Sequence, residues 1–237
     1  MDVRWVTGFL DSPSRDVEGF WLAVTGASLS PRRGDFATLV PVVGDPCLRV
    51  QVLAAPPRTH LDLHVSSVPA GAEEAVGLGA EVVLDEGDLV VLRSPAGAVF
   101  CLVPWAGEVS CPSPVRWPGG QTSVVDQVCV DVPGNVFDLE LSFWSALTGW
   151  MPRPSDLPEF VHLERGAGMP LKLLLQRVGS ASAGMHLDLA CDDVDREVAR
   201  HVALGAQVVR RVEGDWTTLR DPSGREYCVT GRTPSVC

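Results

Sequence analysis

The chain repeats itself, and this limits its fold more than any other feature. Phe20-Trp21 followed by Thr25-Gly26 recurs as Phe143-Trp144 followed by Thr148-Gly149, 123 positions later. His60-Leu61-Asp62-Leu63 recurs as His186-Leu187-Asp188-Leu189, displaced by 126. Leu78-Gly79-Ala80 with Val82-Val83 recurs at the same displacement, as Leu204-Gly205-Ala206 with Val208-Val209. Pro95, Gly97 and Cys101 recur as Pro222, Gly224 and Cys228, at 127. The displacement drifts by only a few residues, so insertions are small and fall in loops. Such a chain folds as two similar units with the same order of elements. Its 237 residues suit two domains of ordinary size, and 46% hydrophobic against 21% charged residues favours packed cores over disorder.

The stretch from Pro104 to Thr122 holds Pro112, Pro114, Pro118, Gly119 and Gly120, which punctuate rather than build elements. The expected organisation is a first domain over residues 1–105, a linker over 106–122 and a second domain over 123–233. Within the second half, Asp126 to Val132 alternates as a strand, Gln-Val-Cys-Val-Asp-Val. Asn135 is the expected N-cap of a helix running to about Leu147, with Gly149 as its stop. Val136, Leu139, Phe143 and Leu147 share one face of it. Strands follow near Glu159 to Glu164 and Leu171 to Arg177. A second round places a strand at His186 to Cys191, a helix capped by Asp192 or Asp193 and ending at Gly205, and strands at Gln207 to Val212, Trp216 to Arg220 and Glu226 to Thr230. Each half thus reads as two β-α-β-β-β modules, four in all, and the fold class as α+β with curved sheets covered by helices.

A formal net charge of −11 argues against nucleic acid and anionic membrane surfaces as partners. No apolar run reaches the roughly 18 residues of a spanning helix, and the N-terminus reads as no signal peptide. Seven cysteines without a CxxC pair suit a reducing compartment better than a disulfide scaffold. The expectation is a cytoplasmic monomer or homodimer whose partner is a small molecule. G-x-S-x-G, H-E-x-x-H and a phosphate-cradling glycine loop are all missing from the sequence.

The stretch from His186, HLDLACDDVDREVARHVALGAQVV, and WTTLRDPSGREYCV from Trp216 resemble the second module of a glyoxalase-like domain of the vicinal oxygen chelate superfamily. HLDLHV from His60 and LRSPAGAVFCLV from Leu92 repeat it more loosely, so the resemblance covers nearly all of the chain outside the linker. It implies paired βαβββ modules forming a cup. In metal-binding members of the superfamily, ligands stand at the start of a module's first strand and on its last strand, as His, Gln or Glu. Carried over, these positions fall on Gln127, Gln176, His186 and Cys228 in the second half, and on Trp5, Gln51, His60 and Cys101 in the first. Cysteine replaces the usual glutamate on both closing strands, so the resemblance implies a cup without a metal.

The expected function is therefore that of a glyoxalase or bleomycin-resistance-like protein holding a small molecule in a strand-lined cup. The alternative is a metal-dependent lyase, isomerase or dioxygenase of the glyoxalase type. His186 and Glu226 are the candidate acid/base residues, the latter because it shares a strand face with Cys228. His162, Trp216 and Trp5 join the ligand-binding candidates because ring side chains in a cup stack on flat ligands. Asp62 and Asp188 share a strand face with His60 and His186, as orienting partners or as structural bonds. Trp21 and Trp144 read as core, Cys101 and Cys228 as buried structural thiols, and His201, amid Arg196, Glu197 and Arg200, as exposed.

Overall fold

A computed structural model of the protein describes residues 1–179 and 182–237. Four βαβββ modules follow one another. The first runs β1 (Val3–Ser12), α1 (Glu18–Thr25), β2 (Ser28–Leu29), β3 (Phe36–Val40) and β4 (Leu48–Val52). The second runs β5 (Arg58–Val65), α2 (Val68–Gly77), β6 (Glu81–Asp85), β7 (Val90–Arg93) and β8 (Val99–Pro104). A short β9 (Val115–Arg116) precedes the third: β10 (Thr122–Pro133), α3 (Phe137–Thr148), β11 (Met151–Pro154), β12 (Phe160–Glu164) and β13 (Lys172–Val178). The fourth runs β14 (Gly184–Cys191), α4 (Val194–Ala203), β15 (Gln207–Val212), β16 (Trp216–Arg220) and β17 (Glu226–Thr230).

The two modules of each half share one mixed sheet, ordered β2-β3-β4-β1-β5-β8-β7-β6 and β11-β12-β13-β10-β14-β17-β16-β15. Each sheet is joined where the modules' first strands run antiparallel, with Phe9 opposite His60 and Cys129 opposite His186. This is the expected duplicated α+β architecture. No helix among the described residues is long and apolar enough to cross a membrane.

The register corrects one equivalence. Gln127 faces Asp188 as Thr7 faces Asp62, so Thr7 and not Trp5 is its counterpart. Trp5 lies opposite His64, the position that Val124 takes opposite Ala190. An irregularity between Val125 and Gln127 accommodates Asp126 as an extra residue, and the offset passes unseen in a sequence overlay.

The cap of α3 also differs from expectation. Val136, not Asn135, takes the N-cap position, with no side-chain hydrogen bond. Gly149 does end the helix, in the left-handed region at φ 72°. The buried face holds Phe137, Glu140, Phe143, Trp144 and Leu147, whereas Leu139 is 55% exposed. Its apolar face is turned because α3 does not pack only on its own sheet. Trp144 meets Phe100 of β8 edge-on at 5.1 Å, and Glu140 accepts a hydrogen bond from the Ala96 amide at 2.8 Å. In return α1 sends Trp21 against Tyr227 of β17, 5.1 Å away, and its indole donates to Asp221 at 2.8 Å. The tryptophans expected in the core are there, but each serves the opposite half. Between them the sheets approach so closely that a Cβ on Gly8 would meet Leu187 at 3.2 Å and Leu48 at 3.3 Å.

The exchange explains why His201 is fully buried rather than exposed. Its ring bonds the Tyr227 hydroxyl at 3.0 Å and the Glu197 carboxylate at 3.2 Å. Arg200 bonds Glu197 and reaches the carbonyls of Ala23 and Val24 in α1. Burial opposes ionisation of Glu197, yet His201, Arg200 and Ser123 overcome it and hold its pKa far below the usual carboxylate range. A depressed carboxylate stabilises the fold above its unfolded pKa of about 4.3, and that contribution is lost as pH falls through the folded value. Glu197→Gln is therefore expected to flatten the acid limb of the stability curve below about pH 4.5, read from urea midpoints against pH.

The cysteines depart from expectation too. Cys111, in the linker, and Cys237 form a disulfide with a Cα separation of 6.1 Å that closes 126 residues of chain. The other five cysteines are free and buried.

Candidate functional site

Strand alternation decides what faces the second cup. Gln127, Cys129 and Asp131 sit two apart on β10, and His186 and Asp188 two apart on the neighbouring β14. All of these but Asp131, together with Gln176 of β13, His162 and Phe160 of β12, Trp216 of β16 and Cys228 of β17, enclose a cavity of about 190 Å³. All of the sequence candidates of the second half except Glu226 line it. Glu226 stands at the edge of a wider mouth of about 840 Å³, where it pairs with Arg220 at 2.6 Å and remains 46% exposed.

His186 lies at the centre. Its Nδ1 is 2.9 Å from Asp131 Oδ2, and its Nε2 is 3.4 Å from Asp188 Oδ1. A carboxylate on Nδ1 fixes the ring orientation and turns Nε2 inward. Asp188 Oδ2 accepts from the Gln127 amide nitrogen at 2.6 Å. That leaves Gln127 Oε1 and Asp188 Oδ1 buried without a hydrogen-bond partner. A buried acceptor left in this state costs about 1–3 kcal/mol. Two of them share this cavity, and both sit where a cation or a donor would satisfy them.

The electrostatics reinforce this picture. Burial opposes charge on His186, but Cys129, Asp131 and Asp188 outweigh it and raise its pKa well above the ordinary histidine value. Burial pushes the Cys129 thiol far up, against the pull of His186. Burial, with Arg232 and Lys172, holds the His162 pKa below the ordinary histidine value.

The donor atoms of Cys129, His186 and Asp188 lie within 4.8 Å of one another. Imidazole, carboxylate and thiol together suit a borderline transition ion such as Zn²⁺ or Fe²⁺ and not Mg²⁺ or Ca²⁺. The sequence reading placed no carboxylate in the ligand set. The structure supplies one from Asp188 and a second, behind His186, from Asp131. The signal was there: Gln127, Cys129 and Asp131 occupy alternate positions of a strand legible from its pattern, and all three must share a face.

The first cup has the same frame and a different filling. His60 Nδ1 is 2.9 Å from Asp11 Oδ2 and its Nε2 is 3.6 Å from Asp62, with Cys101 in the same cluster. Phe9 replaces Cys129 there, and its ring stacks on His60 with centroids 4.6 Å apart, which leaves the histidine 5% exposed. Gln51 is half-buried opposite Asp11. Trp5 is fully buried, its indole donating to the Pro46 carbonyl at 3.1 Å.

Comparison with known proteins sets this geometry in context. A family model described as a glyoxalase-like domain matches twice, over residues 9–103 and 127–230. A search of curated proteins found no match. Among solved structures, the 2,3-dioxygenase LapB from Pseudomonas sp. KL28 superposes with a TM-score of 0.67 at 12% identity, over 100% of this chain and 94% of that one. The 2,2',3-trihydroxybiphenyl 1,2-dioxygenase of Sphingomonas wittichii gives 0.64 at 16%, over 100% and 92%. A mutant homoprotocatechuate 2,3-dioxygenase of Brevibacterium fuscum gives 0.69 at 12%, over 99% and 73%. At these identities the likeness is one of fold.

Proposed function

We infer, because the chain belongs to the glyoxalase-like domain family and carries that domain twice, that its second cup is a metal centre. The protein acts there as a metal-dependent enzyme of the glyoxalase type on a small substrate with two adjacent oxygens. The observation that carries this reading is the convergence of Cys129, His186 and Asp188 donor atoms beside the unsatisfied oxygens of Gln127 and Asp188. Several solved neighbours of the same fold are dioxygenases by name, which supports the reading.

His186, Asp188 and Cys129 would hold the ion, with Gln127 Oε1 as a further oxygen ligand. Bound there, a divalent ion supplies Lewis acidity and a template for the substrate's vicinal oxygens. The chain supplies the rest. Phe160 and Trp216, edge-on with centroids 5.6 Å apart, form apolar walls for a flat group. Arg210 stands 5.8 Å from the Trp216 ring at the mouth and orients an anionic substituent. His162 is the base that accepts a proton from the bound substrate. The residues that line the inner cavity of the second cup all come from the second half.

A second reading is favoured by the raised pKa of His186. A protonated ring between Asp131 and Asp188 suits a metal-free cup that binds a ligand by charge and hydrogen bonds. Elemental mass spectrometry of tag-free protein after loading with Zn²⁺, Fe²⁺, Mn²⁺ or Ni²⁺ separates the two. One equivalent per chain, lost in His186→Ala, is expected. Folded protein that takes up none of these ions overturns the metal centre and leaves the binding cup.

A further inference from the structure

We propose that the first cup is a separate binding site for a small planar organic anion. A cleft of about 200 Å³ opens above Phe9 and is lined by Phe36, Thr38, Arg33, Arg49 and Asp62. At its floor the Phe9 ring lies flat on His60 at an interplanar angle of 17°. The walls are aromatic and cationic. Phe36 meets Phe9 edge-on at 6.1 Å, and the Arg49 guanidinium carbon is 5.7 Å from the centre of the same ring.

Neither Arg33 nor Arg49 makes an ion pair or a side-chain hydrogen bond among the described residues. In a chain with a formal net charge of −11, two guanidiniums without a carboxylate partner in one cleft stand out. The one carboxylate in the wall, Asp62, is 4% exposed; its Oδ1 stands 3.6 Å from His60 Nε2 without a hydrogen bond, and the two guanidiniums outnumber it. A carboxylate ligand matches the guanidinium fork in shape and charge, and a flat apolar body matches the face of Phe9 and the edge of Phe36.

The second cup shows that this is a property of the first half and not of the fold. By register Leu174 stands where Arg49 does, His162 where Thr38 does and Cys129 where Phe9 does. The same frame thus carries a His-Asp-Cys cluster in both halves, but only the first has a phenyl ring stacked on its histidine and arginines lining the cleft above. The site is independent of the metal reading, since no residue of the second cup enters it.

Isothermal titration of chelator-treated protein with benzoate and with uncharged benzamide tests the proposal. Benzoate is expected to bind at least about tenfold more tightly, a factor that shrinks as salt is raised. Arg49→Gln is expected to abolish the difference, and Arg49→Lys to keep part of it. Arg33→Gln, at an exposed loop position, should weaken benzoate in the same sense and guards against a folding defect in the strand variant. Equal affinity for benzoate and benzamide, or wild-type benzoate binding in folded Arg49→Gln protein, would overturn it.

Discussion

Asp188→Ala is expected to give a folded protein that no longer holds a stoichiometric divalent ion and has lost whatever turnover depends on it. The variant removes the carboxylate whose oxygen lies in the cluster with Cys129 and His186. It also removes the buried Oδ1, which stands 3.4 Å from His186 Nε2 without a hydrogen bond. Asp131→Asn separates holding from positioning. It leaves the cluster atoms in place and weakens only the support behind Nδ1 of His186, 2.9 Å away. Loss of such a support costs about 10–100-fold in metal affinity. Competition against a chelating dye reads both variants. The expected order is wild type, then Asp131→Asn, then Asp188→Ala. Since thiol and imidazole must shed protons to bind, wild-type affinity should rise with pH. An Asp188→Ala variant that binds metal as the wild type does would place the ion elsewhere.

The other large effect lies away from the cups. Arg225→Ala is expected to destabilise the protein by about 3–5 kcal/mol, the cost of leaving one member of a buried ion pair behind. The Arg225 and Asp221 side chains are 2% and 0% exposed and 2.9 Å apart. Arg225 also spans the halves, donating to the Arg58 carbonyl at 3.1 Å, to Ser12 Oγ at 2.7 Å and to the Asp11 carbonyl. Asp221 in turn receives the Trp21 indole. Chemical denaturation midpoints measure the loss, and Arg225→Met/Asp221→Asn should recover part of it because no bare charge remains. A loss below about 1 kcal/mol in Arg225→Ala would mean that water reaches the pair in solution.

The fold was legible because repetition and alternation are properties of the chain itself. Strands β15, β16 and β17 begin and end where the pattern of Gln207–Val212, Trp216–Arg220 and Glu226–Thr230 puts them. What stayed hidden depends on partners distant in sequence. Leu139 and His201 carry no local mark that says which half their helix will lean on. The one-residue bulge at Asp126 leaves the strand's apolar rhythm unbroken, and the overlay set Trp5, two residues early, in the place that belongs to Thr7. In the site, Gln127, Gln176, His186 and Cys228 came from the family pattern and do surround the second cavity. Cys129 and Asp131 came from no motif, only from the parity of a strand. The contrast between the cups could not be read from either half alone. Phe9 is an ordinary strand aromatic until the register sets it on His60.

The traded helices make the two halves depend on each other. Trp21 and Trp144 make the seam common property: an altered residue there is felt by both sheets at once, and neither half brings a complete hydrophobic interior of its own. The cups are tied to the seam as well, since Arg225 of the second half bonds the backbone of Asp11, whose carboxylate holds His60 in the first. The seam therefore binds the halves together, while the side chains that line the two cups differ.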